Sequence, residues 1–406
     1  MFGTLFVKEC KQVMRSLIYI IYLLIMIVFL VGQMGETQVI KEPKPDQDYY
    51  GVKESTDEKI IMGNALASLV QEITYESFAT YPTGFYKAVI LNQEELEQLK
   101  SIVEECTGKS WNQISEEKIA FFEKFGDGVE ESIQAGNSYI VLPSDNLEYS
   151  DFKLKMQQVC DIIGRGSNYE EENYEKSAKE PMTYEDALNE FNGICETDGI
   201  TGAYMRMFCD YAGILLAIMP IFLGVTRCVR DRRANVEGVI FSKKASSSVI
   251  VLSRYLANIA MMFLPIVIIA FIMQTSYCYQ ASTLGVTPRY LAFLSYSVMW
   301  LLPEIMFVTA VAFLLSEVFN WIVAVVVQMF YGVASLMGSS GLEDITGFNL
   351  IPRWNTIGKT EAFFANVNQL YFNRLFYTLL AIGAIILTII WYGYKRRGGG
   401  LYGKKH

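Results

Sequence analysis

The chain has 406 residues, 52% of them hydrophobic and 19% charged, with a formal net charge of −9. Its apolar residues stand in blocks of about 20, the length of a bilayer-crossing helix, which excludes an ordinary soluble protein. The single histidine, His406, and seven cysteines without a C-x-x-C spacing argue against His-based acid–base catalysis, zinc sites and thioredoxin chemistry.

In chain order, Phe2, Leu5, Phe6, Val13, Met14 and Leu17 recur at helical spacing, with Lys8, Lys11, Gln12 and Arg15 on the other face. Residues 1–16 therefore read as an amphipathic helix lying at the inner membrane surface. Residues 17–34 form the first span. No small-x-small cleavage pattern follows Gly32-Gln33-Met34, so the segment reads as an uncleaved anchor.

Residues 35–205 read as an extracytoplasmic α+β domain. Residues 34 to 205 hold 34 Asp and Glu against 14 Lys and Arg, so the rest of the chain is net positive. A surface this acidic repels nucleic acid and concentrates cations. Helices are expected at 57–79, at 92–105 behind an Asn92/Glu95 capping box, at 115–125, at 151–163, and at 184–195 behind Thr183 and Asp186. Residues 86–91 and 138–142 read as strands that pair, and the acidic stretch 164–181 as a mobile loop. Cys106, Cys160 and Cys195 are an odd number here, which leaves room for one disulfide of open pairing. Gly108-Lys109-Ser110 looks like the end of a phosphate-binding loop, but Val103 stands where its first glycine belongs, so the chain has no nucleotide site of its own.

Residues 206–394 supply five more apolar runs, near 208–226, 250–273, 291–315, 320–338 and 374–394, giving six transmembrane helices. The N-terminus, the 227–244 connection (Arg227, Arg230, Arg232, Arg233, Lys243, Lys244) and the tail 395–406 (Lys395, Arg396, Arg397, Lys404, Lys405) then lie on one side. By the positive-inside rule both termini are cytosolic in the plasma membrane, and 35–205 is outside. Pro220 and Pro265 mark kinks. Glu304, directly after Pro303 inside a span, costs about 2.5–3.5 kcal/mol to insert and should face protein or an aqueous cavity. It reads either as a cation or proton site or a polar anchor in a translocation path, or as a buried carboxyl bonded to carbonyls freed by Pro303. Gln274 and Gln328 are further path candidates, although span glutamines more often join helices. Arg254 and Asp210 lie near span ends, where snorkelling makes charges ordinary.

Positive-inside bias explains the arginines of the central connection but not the residues after them. Residues 231–242 make a short amphipathic segment, then come Ser246 to Ser248 and Arg254-Tyr255-Leu256-Ala257. This pattern resembles the ABC-2 type permeases, the membrane subunits of one class of ATP-binding-cassette exporters. In that family a charged stretch ending in Glu and Gly, followed by hydrophobics, forms the cytosolic coupling helix. Here Arg232, Arg233, Glu237, Gly238, Val239, Ile240 and Phe241 match it, while Lys243 to Ser247 stand where the family often has a Pro-containing turn.

The resemblance implies an α-helical polytopic membrane protein with a coupling loop at 227–248 and an outer segment at 338–373 packed as short re-entrant helices. It implies pairing with a second permease, in membrane lipid, and with cytosolic ATP-binding-cassette ATPase subunits that carry ATP and magnesium, this chain binding no cofactor. The expected cargo is an amphipathic antimicrobial peptide, a lipid-like molecule or a drug, and the chain by itself is no enzyme. The rival reading is a membrane sensor or assembly protein whose outer domain binds a ligand or partner without transport.

Overall fold

The computed structural model describes residues 1–35, 39–82, 86–125, 140–338 and 342–398. Two compact units emerge, Glu42–Asn189 and a second made of Met1–Lys41 with Glu190–His406. Helix α1 (Phe2–Met14) is amphipathic as expected, but it buries Glu9 together with Val13. Ser16 makes the corner into α2 (Leu17–Met34): its hydroxyl donates to the Val13 carbonyl at 2.8 Å and accepts the Tyr19 amide at 3.2 Å. Tyr19, Tyr22, Met26, Leu30 and Met34 recur every three or four residues along α2 and form its buried face.

In the Glu42–Asn189 unit, strand β1 (Val52–Glu54) precedes the central helix α3 (Glu58–Tyr75), capped by Asp57 accepting from the amides of Lys59 and Ile60. The helix expected over 57–79 stops at Tyr75 because Glu76 takes a left-handed conformation, φ 48°, and the chain turns into β2 (Phe78–Thr80). Strand β3 (Lys87–Val89) pairs antiparallel with β2, Phe78 opposite Val89. The expected partner at 138–142 forms no strand at 140–142; residues 138 and 139 lie outside the described residues. Helix α4 (Gln93–Thr107) opens on the expected box, with Asn92 and Glu95 satisfying each other's backbone amides. Then follow α5 (Trp111–Phe125) and α6 (Tyr149–Ile163).

The stretch 164–181, expected as a mobile loop, is ordered as α7 (Glu171–Ser177) and β4 (Lys179–Pro181), which pairs antiparallel with β1. Its two tyrosines decide this: Tyr169 and Tyr174 are each 2% exposed, packed in the core with Leu66, Leu69, Phe152 and Val159. A count of apolar residues undervalues such anchors, because a tyrosine buries a large ring while its hydroxyl stays bonded. Helix α8 (Tyr184–Asn192) starts where Thr183 and Asp186 exchange hydrogen bonds, as expected. Cys106, Cys160 and Cys195 are buried and no disulfide joins any of them, so the bridge the sequence left open does not form.

A wider turn at Gly193–Thr197 leads to α9 (Thr201–Leu216), which begins four residues before the expected domain boundary at 205. Helix α10 (Met219–Arg233) carries Pro220 in its first turn and is bent 41° from α9. The short α11 (Glu237–Phe241) follows, then α12 (Ser247–Thr283), 37 residues long and running through Pro265. Proline deprives the carbonyl four residues earlier of its donor. That carbonyl, Met261, accepts instead from the Tyr19 hydroxyl at 3.0 Å, and Tyr22 donates to the next one, Met262, at 2.9 Å. Helix α13 (Ala292–Tyr296) passes through a wide turn at Ser297–Leu301 into α14 (Leu302–Val318); α15 (Trp321–Met337) and α16 (Thr360–Arg396) complete the chain. Residues 342–359 contain no helix, and 360–373 are the first turns of α16, so short re-entrant helices are absent from the described part of 338–373. The re-entrant helices were implied only by the family resemblance; the last helix instead runs unbroken through Asn373 and Arg374 into the span expected at 374–394.

Among the described residues four helices are long and apolar enough to cross a bilayer: α2, α12, the α13–α14 segment and α16. The bent α9–α10 pair makes five if it is one span, and α15 is a shorter apolar helix. The chain is a multi-pass helical membrane protein with small two-stranded ribbons.

Candidate functional site

Charged side chains gather at three places in the membrane unit. The first surrounds α11. Residues 231–233, expected within one amphipathic segment with 234–242, belong to the last turn of α10, and Asn235, at φ 54°, separates them from α11. Arg232 turns back to bond Glu237 at 3.2 Å, Glu317 at 3.0 Å and the Ser316 carbonyl at 3.1 Å. Glu317 also receives Lys395 at 3.0 Å, and the Trp391 indole donates to its carbonyl at 2.9 Å. Arg396 donates to the carbonyl of Phe241, the last residue of α11, whose partner a helix end does not supply, and to those of Lys243 and Ala245 in the turn that follows. Phe241 meets Tyr392 edge to face at 5.5 Å, and Ile240 packs on the same core.

The outward side of α11 is open. A β-carbon at Gly238 would meet nothing within 4 Å, and Val239 is 57% exposed. The seven residues expected to couple to a partner therefore separate. Arg232 and Glu237 form an ion pair, Ile240 and Phe241 anchor, and Gly238 and Val239 face out. Arg233 lies 5.9 Å over Trp321, away from α11. Glu317, Tyr392 and Arg396, which hold α11 in place, left no signal in the sequence because pairs this far apart along the chain make no local pattern.

The second cluster joins α1 to α10 and α12. Glu9 pairs with Arg227 and lies 3.6 Å from Arg254, while Arg254 pairs with Asp231. Gln12 accepts from Arg227 at 3.1 Å and from Arg230. Glu9, Arg227, Asp231 and Arg254 are all buried, so Arg254 is not the snorkelling residue expected from its place near a span end.

The third cluster lies inside the helices. Glu304, fully buried, faces Arg374 at 3.4 Å, and Arg374 also donates to the Leu350 carbonyl at 3.1 Å. Asp210 takes a two-pronged contact from Arg353, 2.7 and 3.1 Å, plus the Trp354 amide at 2.8 Å. Asp198 pairs with Arg206 and accepts the Thr360 hydroxyl at 2.8 Å. Asn373 donates to the Gly347 and Asn349 carbonyls, and Tyr377 to that of Phe348. Together these bonds pin the helix-free stretch 342–359 to α9 and α16, and Arg374 ties α16 in turn to Glu304 of α14.

Glu304 thus has an arginine partner, and bonds to carbonyls freed by Pro303 are not what holds it. Gln328 donates to the Ala217 carbonyl at 2.7 Å, at the α9–α10 bend. Gln274 bridges the Tyr290 carbonyl and the Phe293 amide at 2.8 and 2.7 Å. Each glutamine satisfies backbone at a helix break. Glu304, Gln328 and Gln274 are not brought together by these contacts. Among the described residues no cluster of His, Cys, Asp and Glu could hold a metal ion.

No family model matches this chain, and no curated protein or solved structure matches it either.

Proposed function

We propose that this chain is the permease subunit of an ABC-2 type exporter, working with a second permease and with cytosolic ATPase subunits that bind ATP and magnesium. The observation that carries the reading is the mounting of α11. Arg232, Arg396 and Phe241 fasten this five-residue helix to α10, α14 and α16, while Gly238 and Val239 stand open. A docked ATPase pushing on that open side would move three membrane helices as one, which is what mechanical coupling requires.

In this reading the bent α9–α10 pair and α15 each cross the membrane, giving six spans. At 1.5 Å per residue α15 is about 25 Å long, enough for a span with slight thinning of the bilayer. The basic segments around 8–15, 227–244 and 395–397 then face the cytosol of the plasma membrane, and residues 35–205 form an extracytoplasmic domain whose acidic surface favours cationic, amphipathic cargo such as antimicrobial peptides over lipids or drugs.

The test is purification of the tagged chain from its native membrane in mild detergent, with partner identification and an ATP hydrolysis assay. A stoichiometric ATPase whose activity uncouples in Glu237→Arg and Gly238→Pro, with normal expression, is the expected result. Recovery without any nucleotide-binding partner would instead support a sensor or assembly protein.

A further inference from the structure

A groove of about 550 Å³ opens between α2, α10 and α15. Its walls are apolar, with Phe222, Val225, Val229 and Val325, and its lining contains no carboxylate. Arg230 and Arg233 stand at one end of it together with Trp321. Arg230 is engaged with Gln12 and Asp231 and lies 4.0 Å from Glu9. Arg233 forms no ion pair among the described residues; its neighbour is the Trp321 ring, and both side chains are exposed.

We infer that this groove binds one anionic glycerophospholipid, with its phosphate on Arg233 and one acyl chain along α10. Charge and length both point to that occupant. The Arg233 guanidinium, over a lining that contains no carboxylate, matches a phosphate diester, which accepts from arginine in a planar fork. Residues 222, 225, 226, 229 and 233 lie on one face of α10, and the 11 steps from 222 to 233 span about 16 Å at 1.5 Å per residue. That is half of a hydrocarbon core of about 30 Å, the depth of a single leaflet. Trp321 at the charged end marks the level where an indole prefers to sit, between acyl chains and headgroups. A soluble anion would have no use for the apolar walls, and a neutral lipid none for Arg233.

The inference does not rest on the transporter reading, because its test registers only lipid beside Trp321. The full chain is reconstituted in phosphatidylcholine vesicles containing either phosphatidylglycerol or phosphatidylcholine with brominated acyl chains. The Trp321 contribution to fluorescence quenching is isolated by comparison with Trp321→Phe. Brominated phosphatidylglycerol is expected to quench at about a fivefold lower mole fraction than brominated phosphatidylcholine, the effect of one engaged arginine. Arg233→Gln should remove most of that preference and Arg233→Lys should keep part of it. Val325→Trp, which fills the groove and leaves both arginines in place, should remove quenching of Trp321 by either lipid, and it guards against misfolding of the arginine variants. Equal quenching by the two lipids, or a preference untouched by Arg233→Gln, overturns the proposal. So does protection of Trp321 from both lipids in the wild type, the result expected if a second copy of the chain covers the groove.

Discussion

Arg232 and Glu317 meet at 3.0 Å where the ends of α10, α14 and α16 converge on α11. Glu317 is nearly buried, and Lys395 is its other cation. Removing Arg232 leaves that carboxylate half-neutralised and frees Glu237. Arg232→Ala should therefore cost about 1–3 kcal/mol, seen as a lower thermal midpoint of the purified chain. Glu317→Gln should cost less, because Arg232 and Lys395 both reach solvent. If α11 transmits force, both variants should lose partner-stimulated ATP hydrolysis to a similar degree despite their different stabilities.

The buried Glu304–Arg374 pair separates structural from transport roles. Arg374→Met strands a carboxylate in an apolar interior and drops the bond to Leu350, a loss of about 3–5 kcal/mol for a broken buried pair. Glu304→Gln keeps an acceptor for Arg374 and should be milder. The double variant should be more stable than Arg374→Met alone, and a double-mutant cycle on thermal midpoints reads that coupling. Transport reduced in Glu304→Gln more than its stability predicts would assign the carboxylate to the path; transport following stability in all three would make it a clamp.

Gly224 on α10 allows a close approach to α14: an added β-carbon would lie 2.6 Å from the methyl of Ala312. Neither atom is the end of a flexible chain, so a helix must shift. Gly224→Ala should destabilise by about 1–3 kcal/mol through overpacking, even though alanine is the better helix former. Gly224→Ala with Ala312→Gly should recover most of the loss. Equal midpoints for wild type and Gly224→Ala would show that α10 and α14 slide apart freely.

Much of the helical architecture was legible in the sequence. The apolar blocks carried the long helices, and Asn92/Glu95 and Thr183/Asp186 marked helix starts because a cap is a local, four-residue device. The ordered stretch 164–181 was not legible, since it depends on Tyr169 and Tyr174 finding a distant core. The same limit applies to the site. Residues 237–241 were visible as a motif, whereas no local pattern singled out Glu9 or Glu317. Their roles arise from arginines supplied by other helices, and no local spacing encodes that.

Two carboxylates of the Glu42–Asn189 unit should respond oppositely to pH. Burial raises Glu72 above the ordinary carboxylate range, against the opposing hydrogen bonds from Tyr169 and Asn168. The folded state holds that proton more tightly than the unfolded one, so Glu72 favours folding below the unfolded value and this contribution is lost as pH rises through the folded value. Asp186 is held at about 2, first by Lys53 and then by the amide and hydroxyl of Thr183. Its contribution is present above the unfolded value and lost as pH falls toward 2. Amide hydrogen exchange on the full chain can follow both. As pH rises above the ordinary carboxylate value of about 4, Glu72→Gln should gain protection in α3 and α7 relative to wild type. Below about pH 4, wild type should lose protection in the β1–β4 ribbon and at the start of α8, while Asp186→Asn, which lacks the charge throughout, should change little there. Parallel pH profiles for wild type and both variants would mean that neither carboxylate is coupled to the folding of this unit.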